Sequence, residues 1–184
     1  MFEKASLNPS AIRTLKNNEV LELSGRKLRV IHTPGHTEGS IVVLDQDLRL
    51  AVSGDSIQGH GDRRPLIFYG SDAYESSLNH LLGESIETLM LGHPFPPFHK
   101  SVLTERDSIV FIKESLNAMT WSKKHLSGIL EDLTEPFDLE EVIANTPELR
   151  ESTILCILKE LSKKGLLEVT KDSSGNRNLW IRRT

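Results

Sequence analysis

In three turns of this chain a histidine or an aspartate stands just past an apolar, strand-like run. His36 follows Lys27–His32 through Thr33-Pro34-Gly35, Asp55 follows Leu48–Ser53 through Gly54, and His93 follows Ile86–Leu91 through Gly92. Neutral imidazole and carboxylate both bind zinc, and a rigid strand end fixes where such a ligand points. The Pro-Gly turn throws the His36 imidazole over the edge of the sheet, while Thr37 and Ser40 are placed to hydrogen-bond the exposed peptide groups beside it. A second group of residues lies between the turns. His60, in Gln58-Gly59-His60-Gly61-Asp62, sits on a flexible loop that would overhang the site, as a further ligand or a substrate contact. Arg63 and Arg64 follow directly and suit a carboxylate or phosphate, which a guanidinium grips through two parallel hydrogen bonds. His32 lies within its strand and reads as structural, and His80, His99 and His125 have no ligand-like spacing. No glycine-rich phosphate loop, paired-cysteine zinc pattern or nucleophile elbow is present, so no side chain is assigned as a catalytic nucleophile.

The elements that must position these residues follow from periodicity and turn chemistry. Short alternating or apolar runs predict strands at Val20–Leu23, Lys27–His32, Ser40–Leu44 and Leu48–Ser53, separated by polar turns. A glycine-rich loop runs from Gly54 to Gly70, and a helix follows over Asp72–Leu82 with Ser71 or Asp72 as its N-cap. Ile86–Leu91, bounded by Gly83 and Gly92, predicts a buried strand, and Pro94, Pro96 and Pro97 break the chain before a helix over Leu103–Met119. Beyond Trp121 the pattern changes to helices at Ser122–Leu133, Leu139–Ala144 and Glu151–Lys164, then two strand-like runs, Leu166–Thr170 and Asn178–Arg182, around the turn Asp172–Asn176. Three helices and a hairpin in this order resemble a winged-helix module, and the domain boundary is predicted at 119–121, giving domains 1–119 and 120–184.

The stretch from His32 to Ser40 resembles the third metal-binding motif of the metallo-β-lactamase fold, a family of mostly zinc-dependent hydrolases. Val52-Ser53-Gly54-Asp55 resembles the fourth motif and Met90-Leu91-Gly92-His93 the fifth, although Pro94 stands where many members carry glycine. The resemblance covers residues 17–100 in order and spacing. It implies an α/β fold, the C-terminal part of an αββα sandwich, followed here by the small winged helix. It also implies that His36 serves one zinc ion, His93 the other, and Asp55 bridges them. The activity it implies is hydrolysis of a thioester, ester, amide or phosphodiester by metal-activated water.

The family's first signature, H-x-H-x-D-H, does not occur in this chain. With His36, Asp55 and His93 alone, each ion keeps two protein ligands, where a catalytic zinc uses three plus water. The chain by itself is therefore expected to bind zinc weakly and to be inactive or nearly so. Two accounts stay open here: a fragment of an active hydrolase, with a small-molecule or RNA substrate, or a short non-catalytic binding or regulatory module. Losing one sheet of a sandwich would uncover the apolar face of the other, for which Val30, Ile41, Val43, Leu50 and Val52 are the candidates; association with itself or a complementing chain follows.

Composition narrows the partners. A net charge of −4 and pI near 6.0 give no basic field of the kind a dedicated nucleic-acid binder carries. Residues 121–184 hold ten Lys/Arg against eleven Asp/Glu, a net of −1, so the C-terminal module is expected to bind nucleic acid poorly by itself. A single cysteine, Cys156, among apolar neighbours reads as a buried thiol in a reducing cytoplasm. Met1-Phe2-Glu3-Lys4 starts no apolar leader, and no apolar run reaches the length of a membrane span.

Overall fold

The computed structural model describes residues 13–183; the reading of Met1–Lys4 falls outside them. Six strands form one sheet in the order β1-β2-β3-β4-β5-β6: β1 (Val20–Leu23), β2 (Arg26–His32), β3 (Ile41–Asp45), β4 (Leu50–Gly54), β5 (Thr88–Leu91) and β6 (Val102–Thr104). All neighbours are antiparallel except β4 and β5, which run parallel and are joined through helix α1 (Ser71–Leu82). That parallel pair sets the site. It brings the C-terminal ends of β4 and β5 together, and with them the turns that carry Asp55 and His93.

Alternation in the strands sorts residues to two faces. Ile31, Val42, Leu44, Ala51, Leu89 and Leu103 turn to the covered face and are buried, joining one apolar cluster with Tyr74, Leu78 and Leu81 of α1 and with Phe111, Ile112 and Met119 of α2 (Arg106–Asp132). On the opposite face Val30, Val43, Val52, Met90 and Val102 lie in register across five strands. Val52, Met90 and Val102 are 45%, 38% and 49% exposed. Ile41, Val43 and Leu50 are half-buried. Val30 departs from the expectation of an uncovered side chain: it is buried, in a strand paired on both sides, where its N–H and carbonyl also bond Glu19 and Asn18. Met90 and Val102 take its place on the open face, legible only once the register is known.

Three helix boundaries differ from the sequence reading, the first being the start of the helix expected from Leu103: Val102–Thr104 pair with β5 as β6, and α2 begins at Arg106. Ser71 is the first helical residue, not a cap; Gly70 holds the N-cap position, and the carboxylate of Glu160, from another helix, takes the Ser71 hydroxyl and the Asp72 N–H instead. The helices expected on either side of 119–121 are one continuous α2 of 27 residues, because nothing between Leu116 and Leu126 breaks the helix. Past it come β7 (Phe137–Asp138), α3 (Leu139–Asn145), α4 (Glu151–Lys163), β8 (Leu167–Lys171) and β9 (Asn178–Arg182). The three strands pair in the order β7-β9-β8. Cys156 is buried on α4, and burial first, then the Glu160 carboxylate, pushes its thiol above the ordinary value.

The C-terminal elements are fastened to the sheet domain by charge as well as by apolar contact. Asp72, in the first turn of α1, receives Lys123 of α2 at 2.6 Å and Lys164 after α4 at 2.7 Å, and Lys123 also reaches Glu75 at 2.7 Å. Hydrogen bonds from Lys123, then from Lys164, hold the Asp72 carboxyl below its usual range. Burial disfavours the Lys123 ammonium, but the bonds to Asp72 and Glu75 outweigh it and leave its pKa raised. A depressed carboxyl contributes stability that is full above its unfolded pKa, about 4, and fades as pH falls through the lower folded value. Asp72 is 45% exposed, so screening keeps this contribution to roughly 0.5–1 kcal/mol. Asp72→Asn should therefore lower the melting temperature near neutral pH and make no difference near pH 2, as followed by circular dichroism. Equal destabilisation at both pH values would count against this ion cluster.

Candidate metal centre and adjoining cleft

The turn after β2 is built around a close approach. Gly35 has φ +148°, and a Cβ there would lie 2.5 Å from the Tyr74 Cα, so only glycine lets the turn sit on α1. The carbonyl of Gly35 accepts from the Tyr69 and Gly70 N–H groups, and that of His36 accepts from Phe68 N–H at 3.0 Å. His36 is thus held between β2 and the segment 66–70. Its ring meets Phe68 edge-on, with centroids 5.5 Å apart.

The hydrogen-bond balance around His36 assigns its tautomer. Nδ1 lies 2.7 Å from the Leu66 carbonyl oxygen and 3.0 Å from Gln58 Nε2. Gln58 has two amide hydrogens, and two carbonyls take them: Asp55 at 3.1 Å and Leu66 at 3.0 Å. A carbonyl oxygen at 2.7 Å requires a donor, so the Nδ1–H donates to Leu66. The lone pair is left on Nε2, the arrangement that a histidine needs to bind a metal through Nε2.

Gln58 is completely buried and joins the whole constellation. Its Oε1 accepts from Leu66 N–H at 2.9 Å and from Arg64 Nη1 at 3.2 Å, and its own N–H donates to the Tyr74 hydroxyl oxygen at 3.3 Å. Burial raises the Tyr74 phenol well above its ordinary pKa, so it stays neutral as a fixed hydrogen-bonding post. Next along the loop, Gly59 donates its N–H to Ser115 Oγ at 2.8 Å. With φ +68°, and with a Cβ there falling 2.0 Å from the Pro96 carbonyl oxygen and 2.7 Å from the Phe111 ring, that position also requires glycine.

Asp55 and His93 meet at the ends of the parallel strands, with His93 Nε2 3.5 Å from Asp55 Oδ1. Gly92 makes the approach possible: a Cβ on it would stand 2.5 Å from Asp55 Oδ1. His93 is 63% exposed and Asp55 33%, and the His93 ring packs edge-on to Phe95 at 5.5 Å. The structure therefore joins Asp55 to His93 directly and to His36 only through Gln58. Among the described residues, no three His, Cys, Asp or Glu side chains converge on one point that an ion could occupy. The donors fit zinc in kind, nitrogen and carboxylate oxygen, and fall short of it in number.

His32, by contrast, is engaged by its own loop, one ring nitrogen meeting the Glu38 carbonyl oxygen at 2.7 Å.

His60, Arg63 and Arg64 lie together on one wall of a cleft of about 600 Å³, facing Glu114, Asn117 and Trp121 of α2 and Glu148. His60 Nε2 is 3.5 Å from Glu114 Oε2. Arg64 faces two ways. Besides lining the cleft it bonds Gln58 and lies over the Phe95 ring, 4.9 Å from the centroid, so it stands between the cleft and the His36 network. Trp121 stacks on His125 with centroids 4.7 Å apart. Two guanidiniums face three carboxylates, Asp62, Glu114 and Glu148, so the cleft carries no strong field of one sign. Sequence reasoning missed Gln58, Trp121 and Glu148; a polar residue's burial, and a contact between helix and loop, leave no local signature.

The strand-end turns and their order along the chain agree with what sequence comparison finds. The chain carries a metallo-β-lactamase superfamily domain. The model of that superfamily matches residues 3–93. Human acyl-coenzyme A thioesterase MBLAC2 is 38% identical over 56 residues, which are 30% of this chain and 19% of that protein. The chicken protein of the same name is 40% identical over 45 residues, 24% of this chain and 16% of its relative. The matched stretch thus spans less than a fifth of these curated relatives. Among solved structures, a metallo-beta-lactamase family protein from Thermus thermophilus superposes with a TM-score of 0.65 at 20% identity, over 92% of this chain and 54% of the other. A beta-lactamase domain protein from Burkholderia ambifaria gives 0.68 at 14% identity, over 95% and 53%. At these identities the likeness is one of fold, and the chain spans about half of each structure.

Gln58 tests whether this network holds the site. Gln58→Leu leaves the Asp55 carbonyl and Leu66 N–H without their partner in a buried place, and should destabilise the protein by roughly 2–3 kcal/mol. Urea unfolding monitored by tryptophan fluorescence measures it; a loss below about 0.5 kcal/mol would show that water or a rearranged loop replaces the amide.

Proposed function

We propose that this chain supplies one half of a metal-dependent hydrolase centre, with His36, Asp55 and His93 as its metal ligands and an acyl thioester as its substrate. The observation that carries the reading is the orientation of His36, whose Nδ1–H is spent on Leu66 and whose Nε2 lone pair is left available. The names of the curated relatives support the thioester class. Zinc, two ions in the complete family site, would supply Lewis acidity and lower the pKa of a bound water. The chain's own residues orient the ligands through Gln58 and Leu66, and the cleft of His60, Arg63 and Arg64 receives the part of the substrate that does not react. The ligand count favours a second reading, a non-catalytic binding module. One experiment separates them. Calorimetric zinc titration and acyl-coenzyme A hydrolysis on the purified chain should give weak zinc binding, lost in His36→Ala and in Asp55→Ala, and little turnover. Two zinc ions retained through dialysis would overturn the half-site reading; no binding, or binding unchanged in both variants, would leave the non-catalytic module.

The open sheet face supports a proposal about assembly. Val52, Met90 and Val102 form a contiguous apolar row where the superfamily sandwich places a second sheet. This face takes a complementing sheet from another polypeptide or, without one, a second copy of itself. Sedimentation velocity should show species larger than the monomer, and Val52→Glu with Val102→Glu should return them to monomer. A wild-type chain that sediments as a single monomer would remove the proposal.

We read 120–184 as a winged-helix module attached to the 1–119 domain. Support comes from the order α2, β7, α3, α4, β8, β9 and the three-stranded antiparallel sheet. Its net charge of −1, and the engagement of Lys164 by Asp72, favour packing over nucleic-acid contact and so a small-molecule substrate over RNA.

A further inference from the structure

The geometry points to Thr153 as a positioning residue for His36, acting across a single peptide group. Thr153, in the first turn of α4, is completely buried. Its hydroxyl accepts from Ile67 N–H at 3.1 Å and donates to the Pro65 carbonyl at 2.8 Å. Ile67 N–H belongs to the same planar peptide group as the Leu66 carbonyl, the acceptor of the His36 Nδ1–H. In a trans peptide the N–H and C=O point in opposite directions, and the plane resists twisting. Anchoring the N–H on Thr153 therefore aims the carbonyl away from α4, at His36. Accepting from that N–H also polarises the peptide, which makes the Leu66 oxygen a better acceptor.

The neighbouring bonds remove the remaining freedom. The Pro65 carbonyl is held by the same hydroxyl, the Leu66 N–H by Gln58 Oε1 at 2.9 Å, and the Ile67 carbonyl by Cys156 Sγ, one turn along α4, at 3.6 Å. Each of the three peptide groups 65–66, 66–67 and 67–68 is gripped by a side chain of α4, and Gln58 adds a hold on the Leu66 N–H. A helix more than 110 residues away in sequence thus sets which nitrogen of His36 carries the proton.

This inference rests on the reading of His36 as a metal ligand for its importance, but not for its test, which needs no metal. Two-dimensional ¹⁵N–¹H spectroscopy of the metal-free chain, at a pH where imidazole is neutral, reports the His36 tautomer from its ring nitrogen shifts. Wild-type protein should be protonated at Nδ1. Thr153→Val, close in shape but unable to accept or donate, should move the tautomer ratio toward Nε2–H by about fivefold or more, the scale of one lost hydrogen bond. Thr153→Ser, which keeps the hydroxyl, should restore it. Thr146→Val removes another buried hydroxyl, bonded to the Val142 carbonyl at 2.7 Å, and should leave the tautomer unchanged, which separates positioning from general loss of stability. A folded Thr153→Val variant with the wild-type tautomer overturns the proposal. Should that variant fail to fold, the wild-type spectrum still decides, since a neutral His36 protonated at Nε2 is incompatible with it. Failure of zinc binding with the tautomer as described would sink the metal-ligand reading alone.

Discussion

A buried peptide group needs partners at both ends, and the segment 65–67 has no neighbouring strand to provide them. Side chains do it instead: Thr153 at one end of the Leu66–Ile67 peptide, His36 and Gln58 at the other. Much of the site's geometry depends on that requirement. The loop from Asp55 to Gly70 has almost no regular structure of its own, with one isolated bridge between Gly61 and Arg64. It is nonetheless ordered by the sheet on one side and the helices on the other. Ser115 and Phe111 of α2 fix Gly59, α4 fixes 65–67, and the turn of Gly35 fixes 68–70.

The C-terminal helices are accordingly part of the site's support. The face of α4 bearing Thr153, Cys156 and Glu160 is turned to the loop and to the start of α1, where the Glu160 carboxylate serves an N-terminus that lacks a cap of its own. A carboxylate at a helix N-terminus is favourable for the same reason that anions collect there. The helix cannot give that face to a nucleic acid without releasing the loop.

Much of this was legible in the residues. Strands β1 to β5, α1, α3, α4 and the last hairpin lie within a few residues of where periodicity and turns put them, because each has a local signal. The strand-Gly turns bearing Asp55 and His93 were legible one by one, but it takes the parallel pairing of β4 and β5 to make them adjacent and bring Oδ1 and Nε2 to 3.5 Å. What was not legible is what depends on contacts between distant segments. Burial of Val30, the service of Glu160 to α1, and the roles of Gln58 and Thr153 arise only when the chain is folded. The unbroken α2 has a different cause: the change of pattern near Trp121 suggests a boundary, yet no residue there is a helix breaker, and the helix runs through.

Orientation and number of ligands are separable quantities, and under the proposed reading this chain would have more of the first than of the second. A ligand whose rotamer and tautomer are set beforehand loses little freedom when an ion arrives, so its contribution to affinity is close to its full value. It would hold for His36 as a proposed ligand, since Leu66 fixes its ring. It would hold less for His93, which is largely exposed, with one ring nitrogen 3.5 Å from Asp55 and the ring edge-on to Phe95. Affinity in such a site rises steeply with each further rigid donor, because the ordering of the first ones is already complete. On the proposed reading, a half-site organised in this way would hold an ion poorly alone and would gain one when additional donors are supplied. The same framework of Gln58, Leu66 and Thr153 would serve either purpose, so on this reading ligand count, not loop geometry, would separate a resting module from a working hydrolase.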